Sequence, residues 1–563
     1  MMEASASIRL IVGRPRNRVA AALAIAIVAA LAAAGLSSAP ASSSKSTAMA
    51  PRLLGPSPPG DRVRFTLVLR LPGAARARAL VSAIEDPSSP QFRRFVSPTE
   101  YGARFGLSRA RLAALERGLT ARGLHVVASF PQRTELIVAG PVGTVERLLH
   151  LQLLNYADQT GHRFHVPFGN PVIPPDLRDA VAVTGLDTRP RWDPNDVPVG
   201  GLTPTTADAT YDVGPLHAAG FDGQGKTIAV ISFSSSDPSD PQTWMSRYGE
   251  NGPGVNFVSV DGGANGNDGA DENNLDIEVI RDLAPAAQIV MYELPSSTGA
   301  YPDAISRIVA RHQTDIISSS WGEGCEVGVH PAERAATDSA LSAAVATGVT
   351  MFVASGDSGS YDCQRENLAD HRLSVDWPAA SGNVVAVGGT RLNIGSDGAY
   401  LSETGWEDQL SDAGGGGGFS VAEPRPTWQT GPGVLSSLSN GHREVPDVSA
   451  DADPSTGWSV YSQGHAGEAG GTSAAAPLWA ASVLLIEQYA SSQGVPRLGF
   501  VDPLLYTLAR FPQSFAPFHD VTVGGNRYYQ AGPGWDPATG LGSPDVFNLA
   551  RDLVAYLHAH PAR

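Results

Sequence analysis

The residue types in this chain that could do acyl-transfer chemistry are a serine and three carboxyls. Ser473 lies in Gly470-Gly471-Thr472-Ser473-Ala474-Ala475-Ala476-Pro477, a run of small residues that leads into the apolar stretch LWAASVLLIEQY. The small residues set a tight turn, and the segment after it reads as a helix with proline near its first turn. A serine at a helix N-terminus sits in positive local potential, which favours an alkoxide on it or an oxyanion beside it. As an isolated feature it is also an ordinary N-cap. Glu272 and Asp276, within DENNLDIE, are four residues apart and share one helix face. Like charges at that spacing repel. The pair is therefore either a solvated acidic face or a coupled dyad that shares a proton and can accept one from a serine. Asp357, in Ser355-Gly356-Asp357-Ser358-Gly359, follows an apolar run that reads as a strand. A protonated carboxyl there can donate to a developing oxyanion, whereas an ionised one repels it. A glutamate base, with an ordinary pKa of about 4.3, points to the same acidic working range.

The elements around these residues define the scaffold. The runs KTIAVISF, QIVMYEL, DIISSSWG, VTMFVASGDSG and NVVAVGGT read as buried strands, and they alternate with helical patterns at NLDIEVIRDLAP, DAISRIVARH and ERAATDSALSAAVATG. Alternation of this kind predicts right-handed βαβ units and a parallel sheet with flanking helices, whose sites lie at the carboxyl ends of strands. SSSWG, ASGDSG and the glycine run 414–418 fall where strands end. Upstream, residues 61–187 read as a separate α+β unit. RFTLVLRL, LHVVASF and TELIVAG are its strands; ARARALVSAIED, SRARLAALERGLTARG and PVGTVERLLHLQL are its helices, packed on an antiparallel sheet.

At 563 residues the chain exceeds what one hydrophobic core supports. The net charge of −16 argues against a nucleic-acid partner. It is unevenly spread: residues 1–190 carry a net +11 and the rest −27, which suggests two units that attract each other. Acid would then loosen that attraction. Arg9, Arg14, Arg16 and Arg18 precede an alanine-rich run over 19–36 and an Ala39-Pro40-Ala41 cleavage site, the pattern of an export signal over 1–41. Residues 42–60 read as a Ser/Pro-rich linker and 188–205 as a connector. Export and an even count favour a disulfide between Cys325 and Cys363 over two free thiols.

Taken together, ENNLDIE, SGDSG, SSSWG, WPAASGNVVAVGGTRL, VPDVSADADPSTGW and GGTSAAAP resemble the sedolisins, the serine-carboxyl peptidases. The resemblance implies a subtilisin-like α/β fold over 206–563. Residues 61–187, with DPSSPQFRRFVSPTEYGARFG, are similar to the family's activation prodomain, an intramolecular inhibitor. It implies Ser473 as nucleophile, Glu272 as general base and acid, Asp276 as its orienting partner and Asp357 as oxyanion donor. It also implies one calcium ion, held by the carboxylates of Asp520 and Asp536 and the backbone carbonyls of Val521, Gly532 and Gly534, a hard-cation donor set. At the position where some members extend the carboxylate network, after the first catalytic strand, this chain has Ser232; Trp321 beside that network is present.

The reading is a secreted, acid-acting, monomeric endopeptidase of protein and peptide substrates, made as a self-processing zymogen with no membrane span after signal cleavage. Rival readings are a Ser/His/Asp subtilisin, whose H-G-T segment is missing here, a tripeptide-releasing exopeptidase, and an inactive surface-binding homologue.

Overall fold

A computed structural model describes residues 51–561 except 159–160, 191–192, 195–201, 298, 435–437 and 440. The expected export signal and residues 42–50 of the Ser/Pro-rich linker lie outside the described residues.

The N-terminal unit is built from Arg62–Leu69 (β1), Ala74–Glu85 (α1), Arg109–Thr120 (α2), His125–Ser129 (β2), Glu135–Pro141 (β3), Val142–Leu149 (α3) and Ala180–Thr184 (β4). Its sheet is antiparallel in the order β2-β3-β1-β4. Ser108 caps α2 by accepting from the Arg111 N–H. In β1, Val63, Phe65, Leu67 and Leu69 face the unit's own core. The alternate positions Thr66 and Val68 are buried as well, because the other sheet face lies against the C-terminal unit. The helix expected over PVGTVERLLHLQL stops at Leu149, where His150 takes a left-handed conformation with φ 55°. Gln152–Ala157 becomes a strand between Arg52–Pro56 and Arg163–Phe168. Leu151 and Leu153 recur at every second residue, and that period outweighs the helical continuation.

The C-terminal unit is a parallel sheet between two helical layers. Its strands are Thr227–Ser232 (β5), Asn256–Ser259 (β6), Gln288–Glu293 (β7), Ile316–Ser319 (β8), Thr350–Ala354 (β9), Val385–Ile394 (β10), Tyr400–Gly405 (β11) and Val448–Asp451 (β12). They run in the order β6-β7-β5-β8-β9-β10-β11 with β12 also beside β10, all parallel but the β10–β11 pair. Helices Ala270–Leu283 (α4) and Thr472–Ser492 (α7) pack together on one face; Ala300–Arg311 (α5) and Pro331–Ala346 (α6) pack on the other. Strands buried on both faces explain the near-continuous apolar runs in the sequence.

The two units meet in one compact body. The N-terminal sheet and α1 rest on α5 and α6: Gln132 Nε2 donates to Ser306 O at 2.8 Å, and the Val96 N–H donates to Ala346 O at 3.0 Å. Arg64 pairs with Asp261 at 3.1 Å, as the charge asymmetry suggests. The buried centre of the seam is different. Thr66 Oγ1 donates to the Asp303 carboxyl at 3.0 Å, and Glu135 from the N-terminal sheet bonds to Asp303 and Ser306. Burial first, then the charge of Asp261 on both and of Glu135 on Asp303, raises the two carboxyls above the ordinary range; hydrogen bonds from Ser306 and Asp303 and the charge of Arg307 oppose the rise at Glu135, and Thr66 opposes it at Asp303. A carboxyl with a raised pKa in the folded state stabilises it at low pH, and that stability is lost as pH rises through the raised value. Acid thus strengthens the seam's centre, opposite to the simple charge argument. Glu403, raised to about 7 by burial, has the same sign. The precursor should therefore unfold at a higher temperature at pH 5 than at pH 8, and Glu135→Gln should flatten that dependence. Calorimetry of a Ser473→Ala precursor checks this; a melting temperature that rises toward pH 8 contradicts it.

Candidate active site

Helix α7 begins at Thr472 after Gly471, whose φ of 93° lies in the left-handed region open to glycine. Ser473 is thus in the first turn, as expected. Pro477, by contrast, lies inside the helix rather than at its start. Its missing N–H is the one that would have bonded the carbonyl four residues back, that of Ser473. Ser320 Oγ, just past β8, stands beside that acceptor, 3.0 Å from Ser473 O and 2.6 Å from Asp276 Oδ1, so its single proton serves one of the two at a time. Ser473 Oγ in turn donates to Ser320 O at 3.3 Å. One serine at a strand end thereby links the nucleophile's turn to the acidic helix.

Glu272 and Asp276 occupy successive turns of α4, and both are fully buried, as is Ser473. The solvated-face reading of this pair is therefore not the one the fold adopts. Helix α4 packs on α7, and Asp276 reaches the turn of Ser473 through Ser320. Ser232, at the end of β5, donates to Asn273 Oδ1, and Asn273 Nδ2 donates to Ser234 O at 2.9 Å. A neutral Ser–Asn pair thus stands beside Glu272 where the resemblance allowed a further acid. Trp321 stacks edge-on against Phe233 with centroids 5.7 Å apart.

Asp357 follows β9 and is half-buried. Its Oδ1 accepts from both the backbone N–H and the Oγ of Thr472, each at 2.8 Å, and Thr472 Oγ1 accepts from the Gly356 N–H at 3.1 Å. With Oδ1 fixed as an acceptor, Oδ2 is the oxygen on which a proton can sit and be donated. The glycine run backs this turn. Ser355 Oγ donates to Gly416 O at 2.7 Å, and a Cβ on Gly416 would fall 1.9 Å from Ser355 O. Cys325 and Cys363 form a disulfide with Cα atoms 4.6 Å apart, tying the chain beyond Ser320 to the chain beyond Asp357. Thr472 and Ser320 had been quoted only as parts of motifs. Their roles depend on partners 115 and 44 residues away, which spacing does not reveal.

Hydrogen bonds link several of the residues expected to hold the cation. Gly534 N–H donates to Asp520 at 3.1 Å and Gly532 N–H to Asp536 Oδ2 at 3.1 Å. Thr539 Oγ1 lies 2.9 Å from Asp536 Oδ2 and 3.5 Å from Val521 O, which brings that carbonyl alongside the carboxylate. Burial raises Asp536 to about 6 despite four donors. Among the described residues no group of three or more His, Cys, Asp or Glu side chains could hold a metal. A site here must then rest on two carboxylates and backbone carbonyls. Two carboxylates, one buried and one exposed, with backbone carbonyls make an all-oxygen set of the kind a hard dication takes.

If Thr472 Oγ fixes Asp357, Thr472→Val should lower kcat about tenfold with KM little changed, the worth of one hydrogen bond to an ionisable group. Steady-state kinetics on a peptide substrate measure this; a change confined to KM would refute it.

Comparison with known proteins bears on the whole chain. The pro-kumamolisin activation domain matches residues 52–189, and the subtilase family matches 215–497. Kumamolisin of Bacillus sp. (strain MN-32) is 36% identical over 537 residues, covering 89% of this chain and 93% of kumamolisin. Sedolisin of Pseudomonas sp. (strain 101) is 30% identical over 533 residues, covering 87% of each. Human tripeptidyl-peptidase 1 is 26% identical over 552 residues, covering 89% of this chain and 93% of that protein. The solved structure of Pseudomonas sedolisin, a serine-carboxyl proteinase complexed with two molecules of pseudo-iodotyrostatin, superposes with a TM-score of 0.56 at 31% identity, covering 64% of this chain and 99% of that one. The parallel sheet and the N-terminal unit agree with these matches, and the chain belongs to the sedolisin family of serine-carboxyl peptidases, hydrolases made with a pro-kumamolisin-type activation domain.

Proposed function

We propose that the protein is a secreted, acid-acting endopeptidase that processes itself from its zymogen. The observation that carries the reading is the hydroxyl–carboxyl network joining Ser473, Ser320 and Asp276 on one side and Thr472 and Asp357 on the other. Ser473 Oγ attacks the peptide carbonyl carbon and passes its proton to Glu272, which Asp276 orients. The oxyanion accepts a hydrogen bond from Asp357 protonated on Oδ2. Collapse of the intermediate expels the amine, which takes the proton from Glu272; water then repeats the sequence on the acyl-enzyme. The base must be ionised and the oxyanion donor protonated, a combination that acid permits.

Endopeptidase action is supported by the connector. Asp193–Pro194 pairs antiparallel with Trp321–Gly322, next to Ser320, with chain continuing on both sides. An internal peptide segment can adopt the same strand addition. Secretion is supported by the basic, alanine-rich N-terminus, and no helix among the described residues is long and apolar enough to cross a membrane. Asp520, Asp536 and the carbonyls of Val521, Gly532 and Gly534 would hold one calcium ion, which supplies positive charge to the two carboxylates.

Acidifying purified precursor tests the reading. The wild type should convert to a species whose N-terminus lies within 188–205, while Ser473→Ala stays intact; processing of the isolated mutant contradicts the assignment. Cleavage of a peptide blocked at its N-terminus should occur, and release of tripeptides from free N-termini alone would replace endopeptidase with exopeptidase action. Calcium at about 100 times its Kd should stabilise the enzyme by about 2.7 kcal/mol. Chelation should reverse that gain and Asp536→Asn should abolish it, both read as melting temperature; a calcium-insensitive wild type rejects the site.

A further inference from the structure

The ten residues 522–531 join the two segments read as cation ligands, and the middle of this loop reaches the oxyanion turn. Asn526 is fully buried. Its backbone O accepts from the Ser360 N–H at 3.1 Å, its Oδ1 accepts from Ser360 Oγ at 2.7 Å, and its Nδ2 donates to Pro537 O at 3.1 Å. Pro537 directly follows Asp536, so Asn526 ties the oxyanion turn to the cation segment itself. Arg527 is a non-glycine residue at φ 78°, a conformation that costs about 1 kcal/mol or more and persists where surroundings enforce it. Its Nη1 donates to Ser358 O at 2.9 Å and to Gln364 Oε1 at 2.8 Å, its Nη2 donates to Asp412 at 2.8 Å, and its guanidinium lies 5.2 Å from the centre of the Tyr361 ring. Ser358 and Ser360 are the first and third residues after Asp357. The strand of glycines closes the same turn, with the Gly414 N–H donating to Asp357 O at 2.9 Å and the Gly359 N–H to Gly414 O at 2.8 Å.

Asp357 is therefore held from two directions. Thr472 fixes its carboxyl from the helix that carries Ser473, and Asn526 and Arg527 hold the backbone of the turn that follows it, at Ser360 and Ser358, from the loop between the cation segments. An oxyanion donor is useful only when it is aimed before the charge develops, so whatever orders this loop also orders the donor.

We propose that Asn526 and Arg527 are positioning residues for the oxyanion donor, and that through them cation occupancy and oxyanion binding are energetically coupled. This rests on the reading of Asp357 as the donor and of the flanking segments as the calcium site. The coupling is reciprocal: whatever factor calcium adds to the affinity for an oxyanion, an oxyanion adds to the affinity for calcium.

The test uses mature enzyme: wild type, Asp357→Ala, Arg527→Ala and Arg527→Lys. The readouts are kcat and KM on a quenched peptide, the inhibition constant of a peptide aldehyde, and calcium Kd by calorimetry. The aldehyde reports on the oxyanion position because Ser473 Oγ adds to its carbonyl carbon and the hydroxyl proton ends on the new hemiacetal oxygen. Arg527→Ala should lower kcat about tenfold, weaken the aldehyde by the same factor and leave KM within about twofold. Arg527→Lys, which keeps a donor for Ser358 O, should recover part of both. Saturating aldehyde should tighten calcium about tenfold in the wild type and less than about twofold in Arg527→Ala. Asp357→Ala with wild-type kcat overturns the reading beneath the proposal. A crippled Asp357→Ala beside an unaffected Arg527→Ala overturns the positioning role alone, and a calcium Kd indifferent to aldehyde in the wild type overturns the coupling.

Discussion

The contact on which the rest of the site depends is the one between Asp357 and Thr472. Two donors from a single residue, one backbone and one side chain, converge on one carboxyl oxygen. That oxygen becomes an acceptor, so a proton on this carboxyl belongs on the other oxygen. Because Thr472 is also the first residue of the nucleophile's helix, the same contact sets the distance between oxyanion donor and nucleophile. The sheet needs to deliver only strand ends, β8 with Ser320 and β9 with Asp357, to the start of that helix. The glycine run allows the approach of backbone to backbone that such a junction requires.

Elsewhere in the fold the chain accumulates buried acids. Burial raises Glu278, Asp282, Asp451 and Asp502 well above the ordinary carboxylate range, and the prodomain seam adds Glu135 and Asp303. In a protein working at neutral pH these would be liabilities, each gaining charge in a place water does not reach. In acid they are neutral hydrogen-bonding groups. The chemistry of the site and the stability of the scaffold thus ask for the same condition, and the activation domain shares it. Its seam is not simply a basic surface on an acidic one, since the deepest contact sets acid against acid.

Much of this was legible in the chain, and the reason is local. Small residues before Ser473, the four-residue spacing of Glu272 and Asp276, and an apolar run ending at Asp357 are features of a few consecutive residues. The strand–helix alternation that implies a parallel sheet is local too. What was not legible depends on partners distant in sequence. Thr66 and Val68 look like solvent positions of an alternating strand until the second unit covers them. Pro477 looks like a helix start until Ser320 is seen beside the carbonyl it frees. Asn526 and Arg527 belong to none of the motifs, and only contacts spanning up to 169 residues reveal what they hold. The extent of the helix after Pro141 was misread for a different reason: helical and strand periods overlap at Leu149, Leu151 and Leu153.

The central claim is that Asp357 acts as a proton-bearing donor, so its ionisation sets the upper pH limit of activity. The most direct measurement is the pH dependence of kcat/KM for the wild type and for Asp357→Asn, whose amide donates without needing a proton. Whatever the variant's maximum rate, its alkaline limb should move toward neutral pH or vanish, while the acid limb set by Glu272 stays in place. An alkaline limb at the same pH in both enzymes would contradict the account.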